Sequence, residues 1–570
     1  MIRTFVRRTA LAALVVLTPQ VVLPESLSGA YLAGRQAALQ NDFVASAQYY
    51  TAALARDPSN ISLMEDTIAT QLAIGNLDRA LPIARLLESR DIRSQAAHMT
   101  VIADMLAREA YDDYLARNVE TAGIGPLVDG LLRAWAMIGA GRTQEGMAEF
   151  DRISAERGLR GFALYHKAMA LASLDDFEAA EALFLAEAGP LQQTRRGAMA
   201  RAEVLSQLGR NEDAIASLQA AFGAASDPEL RLKLAALAAG ETLPFTHITS
   251  ARDGTAEVFY SVAGALRQDA GADYTLIYAR IAHHLRPGQI DALLLVADLL
   301  EELEQYELAN AVYKQVPADD PAFHAAELGR SAALRKSGKI DSAIEVLEQL
   351  AKRFGDLAIV HSTLGDTLRQ QEQFEEAAAA YDRAIDLTND GEPGAWFLYY
   401  ARAISLERMQ DWPRAEADFR RALDLNPGQP QVLNYLGYSM VEKQINLDEA
   451  LGMIEQAVAV SPDSGYIVDS LGWVLYRLGR YDDAVGHMER AVELMPVDPV
   501  VNDHLGDVYW AVGREREAQF QWMRALSFVD PDDVDGEADP DRMRRKLEVG
   551  LDVVLKEEGS DPLKVMDDEG

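Results

Sequence analysis

The sequence contains no cysteine in its 570 residues. That absence excludes disulfide bonds, thiolate metal sites and a lipid-modified N-terminal cysteine. Basic residues are also few, since 54 Lys and Arg stand against 89 Asp and Glu and leave a formal net charge of −35. A surface for nucleic acid or anionic lipid needs a concentrated basic patch, and the sequence has none. The acidity favours solubility and leaves open the attraction of a basic ligand.

Catalytic signatures are missing as well. There is no HExxH, GxSxG or GxxxxGK[ST] motif, and no GxGxxG follows a strand. The adjacent His283 and His284 would point in different directions on a helix, so they cannot bind one ion from one face. The acidic loop around Gly536 fails as an EF-hand, because Pro531 and Arg542 occupy its first and last ligand positions. We therefore expect no catalytic residues, no cofactor and no metal site, although a site assembled from distant residues would leave no local pattern.

Strand patterns are scarce, because no sustained alternation of Val, Ile and Thr occurs, and this favours an all-α chain. What the sequence does contain is a repeat of 34 residues. Two successive copies read Gly472, Ala484, Met488, Ala491, Pro496 and Gly506, Ala518, Trp522, Ala525, Pro531. A small residue lets two helices approach closely, a bulky one fills the space beside it, and proline ends the unit. Each unit is therefore predicted to be a pair of helices.

The same step places a small or aliphatic anchor residue in about fourteen units. These anchors are Gly34, Ile68, Ile102, Ala134, Ala168, Ala202, Ala263, Ala297, Ser331, Gly365, Ala403, Gly437, Gly472 and Gly506. Agreement between positions is strongest from Gly365 to Pro531. Such a chain can exceed the size of a single-core domain, because each unit contacts only its neighbours.

This spacing and these residue types resemble the tetratricopeptide repeat. The resemblance implies an all-α fold, an α-solenoid in which about fourteen helix-turn-helix repeats form a right-handed superhelix. It also implies a non-enzymatic scaffold or assembly adaptor that binds protein or peptide segments in a concave groove. A hypothesis from a second class is a carrier of glycans or other small ligands that uses the same groove. Oligomeric state, partner identity and biological process stay open.

The chain divides into five predicted segments. They are a signal peptide or signal anchor (1–24), an N-terminal array (25–228), an irregular junction (229–254), a C-terminal array (255–531), and an acidic loop, capping helix and tail (532–570). The junction holds one helix-like stretch, Glu229–Ala239, and interrupts the repeat step, so it is either a hinge or a packed corner. The capping helix is predicted from about Arg542 to Lys556, where one face carries four apolar residues. These are Met543, Leu547, Leu551 and Val554.

The N-terminus has the pattern of an export signal. Arg3, Arg7 and Arg8 precede an apolar run from Thr9 to Leu17, and no acidic residue occurs before Glu25. This pattern predicts transfer to the periplasm by the general secretory route. The alternative is an uncleaved signal that anchors the protein in the inner membrane, although the run is short for a spanning helix.

The partner-binding site is predicted on the C-terminal array. In this repeat family the first helix of each unit lines the groove, and four positions around each anchor share one helical face. Those positions are Phe397, Tyr400, Asn434, Tyr438, Tyr466, Asp469, Trp473, Tyr476, Asp503, Asp507 and Trp510. Aromatic rings supply contact area at small entropic cost, and the carboxylates favour basic or amide-rich segments. The alternative is that these rings are core, as predicted for Tyr399, Phe419 and Trp522.

Two further expectations accompany this site. An extended peptide or a partner helix could lie along the groove, with the N-terminal array holding a second contact. The Lys and Asn set of a clamp for acidic chaperone tails is missing, so that subclass is excluded.

Overall fold

The structure, a computed structural model, describes residues 26–186, 194–223, 227–529, 538–560 and 562–563. Within these ranges the chain forms 32 α-helices and no strand, which confirms the all-α prediction. The predicted signal segment, the acidic loop over residues 530–537 and the tail after 563 lie outside the described residues. Among the helices that are described, none is long and apolar enough to cross a membrane.

The chain forms two compact units, residues 1–350 and 351–570. Unit 1 contains α1 (Leu27–Leu39), α2 (Phe43–Leu54), α3 (Ile61–Ala73), α4 (Leu77–Ser89), α5 (Gln95–Ala107), α6 (Tyr111–Leu115), α7 (Val119–Ala122), α8 (Pro126–Gly139), α9 (Thr143–Ser154), α10 (Arg160–Ser173), α11 (Phe177–Ala186), α12 (Arg195–Gln207), α13 (Asn211–Phe222), α14 (Pro228–Ala238), α15 (Ala251–Leu266), α16 (Ala272–Leu285), α17 (Ile290–Glu302), α18 (Tyr306–Tyr313), α19 (Phe323–Lys336) and most of α20 (Ile340–Arg353). Unit 2 contains α21 (Ala358–Gln370), α22 (Phe374–Asp386), α23 (Ala395–Arg408), α24 (Trp412–Leu425), α25 (Pro430–Glu442), α26 (Leu447–Val460), α27 (Gly465–Arg477), α28 (Tyr481–Leu494), α29 (Pro499–Ala511), α30 (Glu515–Phe528), α31 (Pro540–Val549) and α32 (Leu551–Glu557).

The predicted anchors lie in the first helices of successive helix pairs, and all fourteen are buried. The glycine anchors show why a small residue is needed there. A Cβ added to Gly472 would lie 2.3 Å from the sulfur of Met488, and one added to Gly506 would lie 2.4 Å from the ring of Trp522. These are the small and bulky partners that the repeat step predicts. The step therefore identifies real contacts between paired helices, and stacked pairs make the predicted α-solenoid.

The capping segment differs from its prediction in one respect. Instead of one helix it forms two, α31 and α32, which meet at Gly550. The φ of Gly550 is +85°, a value that favours glycine over residues with a Cβ. The predicted apolar face is retained, since Met543, Leu551 and Val554 are buried.

In unit 1 the chain folds back onto its own N-terminal array. Helix α15 packs against α8, and α16 packs against α3 and α5. Those three are first helices of their pairs, the helices that the resemblance assigns to a groove. The faces of α3, α5 and α8 that meet α15 and α16 are therefore covered by the chain itself. The second partner contact on this array stays a prediction for the faces that α15 and α16 leave uncovered.

A buried polar network joins α15 to the array. The Glu257 carboxylate accepts hydrogen bonds from the Tyr165 hydroxyl at 2.7 Å and from Arg196 Nε at 2.7 Å. Burial raises the pKa of Glu257, but Arg196 and the hydrogen bond from Tyr165 lower it by more. The net pKa therefore lies below its ordinary value. The carboxylate is therefore charged in the interior, where each partner is needed to offset its desolvation.

A second chain of hydrogen bonds in this region includes a neutral histidine. The Trp135 indole donates to His166 Nδ1 at 3.2 Å, and His166 Nε2 lies 3.1 Å from Ser261 Oγ. Burial lowers the pKa of His166 to about 4. Because Nδ1 accepts, the single proton of the neutral ring is on Nε2 and is donated to Ser261.

The segment between α14 and α15 is a packed corner. Glu203 accepts hydrogen bonds from the Thr246 backbone at 2.8 Å and from His247 Nδ1 at 2.9 Å. Burial raises the pKa of Glu203, but His247 and Lys233 lower it to about 2. Ile248 is also buried. Of the two alternatives for this junction, these contacts favour the packed corner over the hinge. The segment lies inside unit 1.

Candidate partner-binding groove

The predicted site residues all lie on first helices of unit 2. Phe397 and Tyr400 are on α23, and Asn434 and Tyr438 are on α25. Four more are on α27 and three on α29. Helix α27 contacts both α25 and α29, so the exposed faces of the three helices form one continuous surface.

The central part of this surface is an open cleft of about 490 Å³. Four predicted residues line it, and we call the surface that they form the window. They are Asn434, Tyr438, Tyr466 and Asp469. Tyr466 is the most exposed of them, with 48% of its surface accessible. The structure thus brings these four residues together at the mouth of a concave site.

Asn434 has an unused hydrogen-bonding group in the window. The residue is only 8% exposed, and its Oδ1 has no hydrogen-bond partner. A buried acceptor without a donor costs roughly 1–3 kcal/mol. A ligand that supplies an N–H group at this position would remove that cost.

The window ends at a stack of rings that sequence reasoning identified only in part. Trp473 lies between Tyr476, at 4.8 Å between ring centroids, and His504, at 3.9 Å. His504 Nδ1 is 3.1 Å from the Asp469 carboxylate. Burial lowers the pKa of His504, but Asp469 and the neighbouring carboxylates raise it by more. The net pKa is therefore above its ordinary value. The place of His504 next to Asp469 has no signature in the local sequence.

The two predicted residues on α23 do not line the cleft. Phe397 is 37% exposed, and its ring centroid lies 6.2 Å from that of Tyr400. Tyr400 packs against Phe419 at 6.1 Å and against Tyr435 at 6.2 Å. Burial raises the pKa of Tyr400 to about 12. Tyr400 therefore belongs largely to the core, while Phe397 is accessible beside it.

The C-terminal end of the predicted groove is not open, and here the prediction needs correction. Lys546 of α31 is fully buried, and its Nζ lies 2.8 Å from Asp503 and 2.6 Å from Asp507. The Trp510 indole donates to Asp552 of α32 at 3.0 Å. Asp503, Asp507 and Trp510 thus bind the capping helices of their own chain. The apolar cap was predicted, but its position over these three residues was not.

The site and fold together describe a stack of helix pairs with an open cleft and a partly self-covered surface. A family model described as Tetratricopeptide repeat matches residues 328–392, and a second with the same description matches 396–429 and 468–496. A TPR repeat-containing protein of Pseudomonas aeruginosa is 30% identical over 181 residues. That alignment covers 31% of this chain and 30% of the relative. Residues 328–392, 396–429 and 468–496 are therefore tetratricopeptide repeats, as the sequence resemblance implied.

Solved structures give broader but more distant likenesses. The crystal structure of the APC/C hetero-tetramer Cut9-Hcn1 aligns with 92% of this chain and 97% of its own, at 13% identity and a TM-score of 0.38. YrrB, described as a TPR protein with an unusual peptide-binding site, aligns with 33% of this chain and 94% of its own, at 20% identity and a TM-score of 0.27.

Tetratricopeptide repeats generally form scaffolds for protein interaction, and the repeats of this chain support that general role. The kind of segment that it binds has to be argued from the window itself.

Proposed function

We propose that this protein is a non-enzymatic scaffold or assembly adaptor of the cell envelope, and that its window binds an extended segment of a partner protein. The observation that carries the proposal is the unpartnered Oδ1 of Asn434, next to the exposed ring of Tyr466. An extended backbone presents free N–H groups, whereas the N–H groups inside a helix are already used. The rings of Tyr438 and Tyr466 would flank such a segment and supply apolar contact area.

The charges of the window favour a basic or amide-rich segment. Asp469 is the predicted carboxylate of the cleft, and Glu407 and Glu442 also line it. Arg408 and His504 are the basic groups in the lining, so the balance is acidic but not one-sided. A strongly acidic segment would meet like charges here, and the net charge of −35 opposes its approach as well.

Replacing Tyr438 and Tyr466 together with alanine should weaken partner binding by about 2 kcal/mol for each residue that is a hot spot. Wild-type protein and the variant are compared by capture from an envelope extract, followed by titration with the protein that the wild type recovers. Circular dichroism should be unchanged. Phe520→Ala is the matched control, because Phe520 is 60% exposed on α30, a second helix away from the window.

Two outcomes would overturn this proposal. A folded double variant that captures the same proteins with unchanged affinity would place the binding site elsewhere. If the wild type recovers no discrete protein but retains glycans or other small ligands, the carrier hypothesis replaces the scaffold.

The envelope location is supported by the residue pattern of the N-terminus. A fusion of residues 1–40 to a reporter that is active only outside the cytoplasm should be active, because the basic start and apolar run direct export. The matched control replaces Leu11 and Leu14 with arginine, which interrupts the apolar run. An inactive wild-type fusion would contradict export.

A further inference from the structure

The C-terminal end of the groove already contains an occupant from the same chain. Helices α31 and α32 place Lys546 between Asp503 and Asp507, with Nζ 5.6 Å from the ring of Trp522. The Trp522 indole donates to Asp507 at 2.8 Å, which fixes that carboxylate towards the lysine. The result is a pocket for one ammonium group with two carboxylates and an aromatic wall.

The chemistry of this pocket is selective. A fully buried ammonium group is tolerated only when it is paired, and the same holds for the two carboxylates that face it. An aromatic face adds attraction for a cation. Removing the lysine without replacement would leave Asp503 and Asp507 facing each other, with only the longer contacts to Arg542 to offset their charge. The pocket therefore requires a cation, and a lysine side chain on a helix is the form that it holds here.

The capping segment makes few other polar contacts with the array. Arg545 pairs with Glu557 within the segment. Arg542 pairs with Glu558 within the segment, and it also reaches the array, with Nη1 3.5 Å from Asp507 and 4.0 Å from Asp503. Beside α32 there is a cleft of about 720 Å³, lined by Trp473 and Tyr476 on one side and by Leu555 on the other. The segment is thus attached mainly through Lys546, Arg542, Asp552 and three apolar side chains, and one flank is open.

We propose that α31 and α32 form a displaceable internal ligand, and that the pocket filled by Lys546 is a lysine-binding site for an amphipathic basic helix of a partner protein. The partner helix would carry one lysine with apolar residues at the spacings of Met543, Leu551 and Val554. This inference deepens the proposed function and rests on it, because it extends partner binding from the window to the covered end of the same groove.

The test uses the full chain with a protease recognition sequence in place of residues 531–536, between α30 and α31. After folding and cleavage, a labelled peptide with the sequence of residues 538–563 is added, and its exchange is followed by fluorescence anisotropy. We expect the peptide to replace the cleaved segment. The peptide with Lys546→Ala should bind about 100-fold more weakly, because it lacks the buried ammonium group that pairs closely with both carboxylates. The matched control is Arg544→Ala in the peptide, which should bind like the wild type, since Arg544 is exposed and pairs only within the segment.

The partner class is tested with a designed competitor. A peptide of Ala, Glu and Gln that retains only Met543, Lys546, Gly550, Leu551 and Val554 at their spacings, so that two helices can meet at the glycine, should displace the labelled peptide. Failure of this competitor would overturn the assignment of the ligand class. Equal binding of the Lys546→Ala peptide would overturn the lysine site.

A permanent cap is the remaining alternative. If the cleaved protein stays folded by circular dichroism and does not exchange its segment, the segment is not displaceable. Hydrogen exchange on the uncut chain gives a second measurement, in which amides of residues 541–557 should exchange faster than those of α29 and faster still in Lys546→Ala. Exchange as slow as in α29 would overturn the proposal. The double variant Tyr438→Ala and Tyr466→Ala should bind the segment peptide normally, because these two residues lie in the window. Failure of the displaceable segment is therefore distinguishable from failure of the window.

Discussion

Replacing Glu257 with alanine is expected to lower the free energy of unfolding of unit 1 by about 3–5 kcal/mol. Glu257 is 1% exposed and binds Arg196, Tyr165 and, at 3.2 Å, Gln289. Its loss leaves the guanidinium of Arg196 in the interior without its main counterion. The expected result is a lower melting temperature and faster hydrogen exchange in α15, with unit 2 unchanged.

Asp291 provides the matched control for this prediction. It is also bonded to Arg196, at 2.7 Å, but it is 42% exposed. An exposed ion pair is worth about 0–1 kcal/mol, so Asp291→Ala should change stability by no more than that. If both variants lower the free energy of unfolding equally, the buried ion pair stabilises unit 1 no more than the exposed one. The attachment of α15 through Glu257 would then be wrong.

The repeat architecture was predictable because its contacts are close in the sequence. Each glycine anchor meets a bulky residue about sixteen positions later, as Gly472 meets Met488 and Gly506 meets Trp522. Such pairs recur at one fixed step, and a single sequence is sufficient to reveal them. The same local rule also predicts which face of each first helix is inward, so all the predicted site residues lie on first helices.

The self-covered surfaces were not predictable from that rule. Tyr165 and Glu257 are 92 residues apart, and Arg280 donates to the Ala73 carbonyl across 207 residues. Ala263 is an anchor at the 34-residue step, and this would hold both if α15 continued the array and if α15 turned back against it. The repeat step therefore does not reveal the turn. The interruption at residues 229–254 marked the place of the turn without giving its direction.

The covered end of the groove left one signal in the sequence. Lys546 is on the same face of α31 as Met543, and both are buried. A lysine within an apolar helical stripe requires a buried counterion, which points to a pair of carboxylates on the surface that the helix covers. The sequence alone gives no register for the docking, because it depends on the break at Gly550 and on the packing of Trp510 against it.

Replacing Gly254 with leucine should detach α15 from α8 and destabilise unit 1 by about 3 kcal/mol. A Cβ at this position would lie 2.2 Å from the Trp135 ring, and no side chain longer than glycine fits without movement of one helix. Measurement of thermal unfolding and of hydrogen exchange in α8 and α15 would detect the separation. Unchanged exchange in both helices would contradict this packing.

Gly264→Leu in the same helix is the matched control. No atom lies within 4 Å of a Cβ placed on Gly264, so the substitution should be neutral or stabilise the helix by about 0.5–1 kcal/mol.

Trp135 has little freedom to accommodate a side chain at Gly254. Its ring centroid lies 5.9 Å from that of Phe150, and its indole N–H is bonded to His166. Since the indole is held from two sides, the strain of the Gly254 variant must be relieved by movement of α15, and the covered inner face of the N-terminal array would then become exposed.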